Sequence, residues 1–437
     1  MTMLSNFAVG AIGIAVMVGL IGLRFHIGLA MALVATVGIT IIAGPRVTYT
    51  VLQVVPYEFA NSWEFSAVPL FILMGTVAYR SGMTTSLFRA ARLWLSWMPG
   101  GLAVAANFGC AGFSAAAGSS VVTAVSMGRI AVPEMLRFRY DPALATGVVA
   151  AAGTLGVMIP PSIPMILYGY FAEVSVAQLF IAGVLPGLLT AFVYTGVIVV
   201  RCWLNPDLAP PVPDDTDRRE KWRALGETWP LPLIILVVIG TIYTGFASPT
   251  ESAAFGAVAA VAIATFQGKM QWAVLRKSLL ETIETSAAIF FVVIGAILLT
   301  RFMAFSDLPE TIAQIVIEYG VDKITLILVT GLIFLVLGCF LDPIGLLLLA
   351  LPVFLPIYIA ADINLIWFGI IFIKYIEIGL ITPPIGVNIF ALKSILPNVP
   401  IQTIFRGVAW FFVAELFVLA LLIGFPSISL FLPSLMR

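Results

Sequence analysis

The chain has 437 residues, of which 61% are hydrophobic and only 10% are charged, and its mean hydropathy is +1.11. Soluble globular proteins carry about a quarter of charged residues, so this composition excludes that class. Basic and acidic residues balance at a net charge of zero, which argues against nucleic acid as a partner.

Helices of membrane-spanning length are predicted along the whole chain, because apolar stretches of about 20 residues recur. A polar, proline-rich linker at 205–229 divides the chain into a first half, 1–204, and a second half, 230–437. Basic residues around the linker predict that it is cytoplasmic. The predicted helices cover residues 7–23, 27–44, 66–79, 143–158, 177–203, 231–244, 250–267, 284–303, 322–340, 364–378 and 403–425.

One segment of the first half, Met83 to Trp97, is amphipathic and ends in tryptophans typical of a membrane interface. It predicts either a helix lying in the membrane plane or an ordinary interfacial loop helix. Trp272 to Leu280 is its expected counterpart in the second half.

Two segments contain Gly, Ser, Asp and Pro and favour helical hairpins over straight spans, namely 99–128 and 341–359. The first holds Gly118, Ser119 and Ser120, where a turn could bind a cation through oxygens or an anion through amides. Close helix packing is the structural alternative. Ser119 and Asp342 lie 223 residues apart, so the polar tips fall at matching positions in the two halves.

Double prolines recur at the same spacing, because Pro160 and Pro383 also lie 223 residues apart. Proline removes a backbone donor and breaks a helix. Two breaks at matching positions in two halves of a membrane protein predict a transporter's binding site. The freed carbonyls are hard oxygen ligands for an alkali cation, whereas a plain proline kink is the alternative.

Ionisable and polar residues inside apolar spans are candidates for function. Asp342, Lys374 and Glu377 belong to this group. Lys374 could meet an anionic substrate or form a structural ion pair with Glu377 three residues later. Asn388 could face a cavity or pack between helices, and Glu251 is expected to cap a helix start.

Cofactor chemistry is limited by what the sequence lacks. The three cysteines are far apart, the only histidine is His26, and no Cys-x-x-Cys pair occurs, which argues against zinc and haem. No Gly-x4-Gly-Lys-Ser/Thr motif is present to bind ATP. An uphill transporter of this kind would draw its energy from an ion gradient or another subunit.

The chain resembles the large membrane subunit of TRAP transporters, the tripartite ATP-independent periplasmic transporters of bacteria and archaea. The resemblance covers nearly the whole chain. The segments that carry it are Val68–Gly75, Ala117–Ser120, Ile130–Met135, Gly153–Gly169, Ser248–Ala254 and Ile381–Gly386.

The resemblance implies an all-α polytopic protein of the bacterial inner membrane, built of inverted repeats with two re-entrant hairpins and two broken helices. In such an elevator-type transporter, a transport domain slides against a scaffold. The implied coupling ion is Na⁺, commonly two per cycle. The implied partners are membrane lipid, a periplasmic substrate-binding protein and a small four-helix membrane subunit, expected here as a separate chain.

The resemblance also implies binding residues. The first sodium site would use Ser114, Ala117, Gly156, Ile159 and Pro161. The second would use Gly338, Gly379, Thr382 and Ile385. Ala117 replaces a serine that is frequent in the family, so a hydroxyl ligand is lost there. The substrate would lie near Ser119, Ser120, Asp342, Lys374 and Asn388.

Sodium-coupled import of a small organic anion is therefore the leading function. C4-dicarboxylates, sialic acid and other carboxylates stay open as substrates. A stand-alone carrier of the same architecture, a proton antiporter using Asp342 and Glu377, and an intramembrane enzyme are the alternatives. The sequence offers no Ser/His or metal-binding constellation, which argues against the intramembrane enzyme.

Overall fold

The computed structural model describes residues 5–211 and 217–436, and these residues form helices joined by short turns. The predicted all-α fold is confirmed. The helices of the first half are α1 Asn6–Gly22, α2 Ile27–Ala43, α3 Pro45–Asn61, α4 Ala67–Arg80, α5 Met83–Leu95, α6 Gly101–Ala117, α7 Ser120–Arg137, α8 Pro142–Ala152, α9 Leu155–Met158, α10 Ile163–Phe171 and α11 Val176–Leu204.

The linker contributes α12, Arg218–Gly226, and its residues 212–216 lie outside the described part. Short 3-10 turns at Trp63–Ser66 and Pro206–Leu208 complete the helical elements. The second half contains α13 Pro230–Tyr243, α14 Pro249–Phe266, α15 Trp272–Ser306, α16 Leu308–Glu318, α17 Lys323–Gly338, α18 Pro343–Ala360, α19 Leu365–Ile381, α20 Val387–Ile395, α21 Ile401–Gly424 and α22 Ser427–Ser434.

Helix length and composition agree with a polytopic membrane protein. Within the described residues, seven helical segments are long and apolar enough to cross a bilayer. The number rises to eight if α3 and α4, which bend by 55° at their junction, count as one span. Four further helices are apolar but shorter, and two of them are the first arms of the hairpins described below.

Helix starts in the two halves correspond at the 223-residue spacing. Ser119 precedes α7 and Asp342 precedes α18, while Asp141 and Asn364 cap α8 and α19 through their side chains. A polar residue that accepts backbone N–H bonds favours a helix start at each capped position. The predicted cap at Glu251 is confirmed, because its carboxylate and Ser248 form a reciprocal capping box at α14.

The predicted position of the second hairpin is wrong. The prediction put a whole hairpin within 341–359, but α18 occupies that stretch as a single helix. The hairpin consists of α17 and α18, with its tip at 339–342. The first prediction, 99–128, was closer, since α6 and α7 form a hairpin whose second arm continues to Arg137.

The expected counterpart of the amphipathic helix was also wrong. The segment α5 forms as predicted, but Trp272 to Leu280 is the beginning of the continuous, 35-residue α15. The helix at the position matching α5 is α16, which follows α15 after Asp307. Both α5 and α16 connect the preceding helix, α4 or α15, to the first arm of a hairpin.

Each double proline interrupts a helix. In the first half, the chain passes from α8 through the four-residue α9 and an extended Ile159 to α10. In the second half, α19 ends at Ile381 and α20 begins at Val387. Cis peptide bonds join Pro160 to Pro161 and Pro383 to Pro384. The first interruption (159–162) is called break 1 and the second (382–386) break 2.

The helices pack in two groups. The frame is formed by α1–α4 and α13–α15, in which α15 runs along α2 and α4, and α14 packs on α4. The second group contains the hairpins, the broken helices, α11 and α21. Contacts of α4 with α6 and of α15 with α18 join the groups, so one arm of each hairpin faces the frame.

Candidate functional site

The tip of the first hairpin packs directly on the first broken helix. Gly118 ends α6 with a left-handed φ of 60°, and a Cβ there would lie 2.9 Å from the Pro161 carbonyl oxygen. A Cβ on Gly156 would lie 2.6 Å from the Ser119 carbonyl oxygen. Glycine is therefore required on both sides of this contact, since real Cβ atoms do not approach so closely.

Two hydroxyl oxygens near this contact have no partner. Ser114 Oγ, on α6, and Ser120 Oγ, at the start of α7, are buried and make no hydrogen bond within the described chain. A buried polar group without a partner is costly, so it commonly marks the place of a ligand. Hydroxyl and carbonyl oxygens are ligands that suit hard cations, so Ser114 Oγ and the backbone carbonyls around break 1 fit Na⁺. Ser120 Oγ lies instead at the start of α7, on the wall of the cavity described below.

The tip of the second hairpin packs on the second broken helix in the same manner. Gly338, the last residue of α17, lies against Gly379 of α19, where an added Cβ would lie 2.9 Å from the Gly338 Cα. The Gly379 carbonyl accepts the Thr382 N–H at 3.2 Å, and the Thr382 hydroxyl donates to the Ile378 carbonyl. These oxygens keep lone pairs that suit a cation.

The two breaks differ in exposure. Ile159 is half-buried and Pro161 is buried under the first hairpin tip. In break 2, Thr382 and Ile385 are half-buried, and the two prolines between them are exposed. The predicted second site is thus closer to the surface than the first.

A cavity of about 210 Å³ separates the hairpin tips from the frame. Four of the predicted site residues line it: Ala117, Ser119, Ser120 and Asp342. The frame contributes Thr76, Glu281, Thr285, Ala288 and Ile289, among others. Both hairpin tips therefore meet in one cavity. Neither break lines it, although Val157, Ile163 and Pro164 beside break 1 do.

A wider opening of about 570 Å³ continues from this cavity. The two spaces share Val121, Val122 and Glu281 as lining residues. Arg80 binds Glu281 with an N–O distance of 2.5 Å at the boundary. The opening also contains Arg129, Lys277 and Glu284, so charged side chains of both signs surround the exit from the cavity.

Lys374 does not reach the cavity. Its ammonium group is completely buried and contacts Glu377 at 2.5 Å, Glu415 at 2.8 Å and the Thr190 hydroxyl at 2.9 Å. The Tyr194 hydroxyl donates to Glu415. This cluster, termed the ion triad for its members Lys374, Glu377 and Glu415, joins α11, α19 and α21, in line with the structural alternative for Lys374.

Asn388 is likewise buried away from the cavity. Its amide nitrogen donates to the Ala150 carbonyl at 3.2 Å, so it ties α20 to α8. Its amide oxygen has no partner within the described chain. The structure thus separates the five predicted substrate residues into three that line the cavity and two, Lys374 and Asn388, that do not.

Sequence reasoning missed several residues of the site. Glu281 and Thr285 line the cavity from α15, and nothing in their local pattern distinguishes them from other helix residues. Glu415 did carry a signal, because it is an ionisable residue within the predicted span 403–425.

Comparison with known proteins identifies the family of this chain. Residues 14–428 match the family model described as "Tripartite ATP-independent periplasmic transporter, DctM component". The chain belongs to the DctM family. It is therefore a transporter permease, not an enzyme, and a multi-pass protein of the bacterial inner membrane.

Several DctM relatives are similar over most of their length. A C4-dicarboxylate TRAP transporter large permease protein of Pseudomonas aeruginosa is 34% identical over 86% of this chain and 88% of its own. A sialic acid TRAP transporter large permease protein of Vibrio cholerae is 29% identical over 86% and 87%, respectively. An isethionate permease of Oleidesulfovibrio alaskensis is 30% identical over 94% of this chain but 64% of its own.

A solved structure shares the fold. The YdaH transporter of Alcanivorax borkumensis superimposes with a TM-score of 0.60, over 88% of this chain and 89% of that protein. The sequences are 18% identical, so this similarity supports the polytopic helical fold alone.

Proposed function

We propose that this DctM protein imports a small organic anion together with sodium ions. The observation that carries the proposal is that the tips of two hairpins, each packed on an interrupted helix, meet in one cavity. Interrupted helices offer unpaired backbone groups within the membrane, where only protein, water or a ligand can satisfy them.

The first proposed sodium site lies between the first hairpin and break 1. Ser114 supplies an unpartnered hydroxyl, and Ala117, Gly156, Ile159 and Pro161 supply backbone carbonyls. The lost hydroxyl at Ala117 reduces the number of side-chain ligands, so backbone oxygens carry more of the coordination here.

The second proposed site lies between the second hairpin and break 2. Gly338, Gly379 and Ile385 contribute carbonyls, and Thr382 contributes its hydroxyl and carbonyl. The close approach of Gly338 to Gly379 supports this assignment, because it brings oxygens of two helices together.

Energetics favour coupling to sodium. Each elementary charge that moves inward through 100 mV gains about 2.3 kcal/mol. Two sodium ions with a monoanion move one net positive charge, so the membrane potential assists uptake. Sodium and substrate must also favour each other's binding, which fits cation sites directly behind the hairpin tips that line the cavity.

We propose an elevator motion, in which the hairpins, broken helices, α11 and α21 move against the frame as a transport domain. The division of the helices into two packing groups supports this motion. The connectors α5 and α16 are positioned to accommodate it, because each links a frame helix to a hairpin arm.

The proposed partners follow from the tripartite family. A periplasmic substrate-binding protein would deliver the anion, and a small four-helix membrane subunit would pack on the frame within the lipid. Relatives named for C4-dicarboxylates, sialic acid and isethionate all transport acids, which supports an anionic substrate here.

Reconstitution tests the proposal. The chain is placed in proteoliposomes with the small subunit, the binding protein is added outside, and uptake of a radiolabelled organic acid is followed. We expect uptake only with an inward sodium gradient and faster uptake at an inside-negative potential. Uptake that ignores sodium would contradict the coupling, and uptake without the binding protein would indicate a stand-alone carrier.

A further inference from the structure

The second arms of the two hairpins, α7 and α18, differ in the hydrogen bonding of the backbone N–H groups at their starts. At the start of α7, Ser119 makes no side-chain cap, and the N–H groups of Ser120, Val121 and Val122 have no acceptor within the described chain. This 18-residue helix presents a positive dipole end to the cavity. The buried, unpartnered hydroxyl of Ser120 lies at the same place.

Free amides, a helix N-terminus and a free hydroxyl together form a site for one carboxylate. The next residues, Val121 and Val122, also line the cavity. Their side chains are apolar and offer a ligand neither a charge nor a hydrogen bond. The first tip therefore offers the cavity a site that suits a negatively charged group.

Within the described chain, the first turn of α18 has no free backbone N–H group. Pro343 has no N–H, the N–H groups of Ile344 and Gly345 donate to Asp342 Oδ2 at 3.2 and 3.3 Å, and the Leu346 N–H donates to the Asp342 carbonyl at 2.9 Å. Asp342 Oδ1 accepts no hydrogen bond within the described chain. This tip thus offers a negative charge and a free acceptor to the cavity.

Other charges nearby do not compensate for Asp342 inside the cavity. Glu281, the second acidic lining residue, is bound to Arg80. Among the described residues, no basic side chain lines the cavity. His26, at the start of α2, interacts electrostatically with Asp342 but lies outside the lining.

We propose that this cavity selects monocarboxylates that carry a hydroxyl or ammonium group at the far end, and rejects dicarboxylates. The inference rests on the proposed transport function and specifies its substrate class. One carboxylate binds the first tip, and a hydrogen-bond donor of the substrate binds Asp342. A second carboxylate would instead face Asp342, and like charges brought together in an interface are strongly unfavourable.

A matched pair of probes tests the inference, namely 4-hydroxybutyrate and succinate, which differ by a hydroxymethyl group in place of one carboxylate. Binding to the purified complex of both membrane subunits is measured by calorimetry in sodium, at a pH where succinate is fully ionised. We expect the wild-type protein to bind succinate at least about tenfold more weakly than 4-hydroxybutyrate.

Variants assign the discrimination to one residue. Asp342→Asn keeps a good helix cap but removes the charge, so the difference between the probes should shrink by about tenfold. Asp342→Ser, which copies Ser119, should act in the same direction if the first variant folds poorly. Asp322→Asn, at the exposed cap of α17, should leave the ratio unchanged.

Three outcomes would overturn the inference: equal or tighter binding of succinate, an unchanged ratio in both Asp342 variants, or no binding of either probe. Sodium-driven uptake is measured separately. Sodium-driven import of succinate would refute the inference and preserve the proposed function. Binding of 4-hydroxybutyrate without sodium-driven uptake of any acid would refute the proposed function and preserve the inference about selectivity.

Discussion

Gly338 and Gly379 lie backbone to backbone, where the first arm of the second hairpin crosses the helix that leads into break 2. A Cβ on Gly379 would lie 2.9 Å from both the Cα and the carbonyl carbon of Gly338. A Cβ on Gly338 would lie 3.2 Å from Leu346 Cδ2 and 3.3 Å from the Gly379 Cα, so its neighbours would have to move less. The contact is thus sensitive to substitution on one side more than on the other.

Gly379→Ala should therefore weaken sodium binding at the proposed second site. Alanine normally favours a helix over glycine by about 1 kcal/mol, but backbone displacement from overpacking costs about 1–3 kcal/mol. We expect a several-fold higher sodium concentration for half-maximal uptake, and a smaller effect from Gly338→Ala. Gly240→Ala in α13 is the control, because nothing lies within 4 Å of its Cβ position.

Thr382→Val tests the hydroxyl at the proposed second sodium site. The change keeps the side-chain shape and removes the Oγ that donates to Ile378. The sodium dependence of uptake should weaken while the melting temperature changes little. Thr300→Val in α15 removes a comparable hydroxyl bond, to the Ala296 carbonyl, away from the site. A sodium response equal in both variants would refute the second site.

Ser114→Ala tests the first site. Its hydroxyl is buried without a partner, so removing it should change the unfolding free energy by less than about 1 kcal/mol. Uptake should nevertheless require more sodium if this oxygen is a ligand. Ser286→Ala removes another buried, unpartnered hydroxyl, on α15, and should alter neither quantity. A normal sodium titration of Ser114→Ala would remove this residue from the site.

Lys374→Met should destabilise the protein strongly. It leaves Glu377 and Glu415 buried without their cation, and breaking a buried ion pair costs about 3–5 kcal/mol. Thermal unfolding in detergent measures the loss. A triple variant, Lys374→Met with Glu377→Gln and Glu415→Gln, should recover much of it, because no buried charge is left. If Lys374→Met instead raised substrate KM at unchanged stability, Lys374 would belong to the substrate site.

Local patterns in the sequence predicted the break positions and the first hairpin tip, because Gly118, Ser119 and the double prolines act on their own backbone. The second hairpin was misplaced for a physical reason. Its first arm, α17, is an apolar helix that reads as an independent span, and Asp342 then appeared to start a new hairpin instead of ending a turn.

Long-range partners could not be predicted from one sequence. The spacing of Lys374 and Glu377 favoured an ion pair, but Glu415 joins them from a helix 38 residues further along the chain. Glu281 meets the cavity only because α15 lies opposite the hairpins. Such contacts depend on how the two groups of helices pack, which no local pattern encodes.

The length of α15 determines how deep in the bilayer the cavity opens. Its 35 residues extend about 52 Å, well beyond the hydrocarbon thickness of about 30 Å. The uncharged stretch between Glu284 and Arg301 covers 16 residues, or about 24 Å. Both ends of the helix therefore extend out of the hydrocarbon core of the bilayer. Glu281 is one turn outside that stretch. The boundary between the cavity and the wider opening, which Glu281 lines on both sides, therefore lies near one end of the hydrophobic stretch of α15 and close to the membrane–water interface.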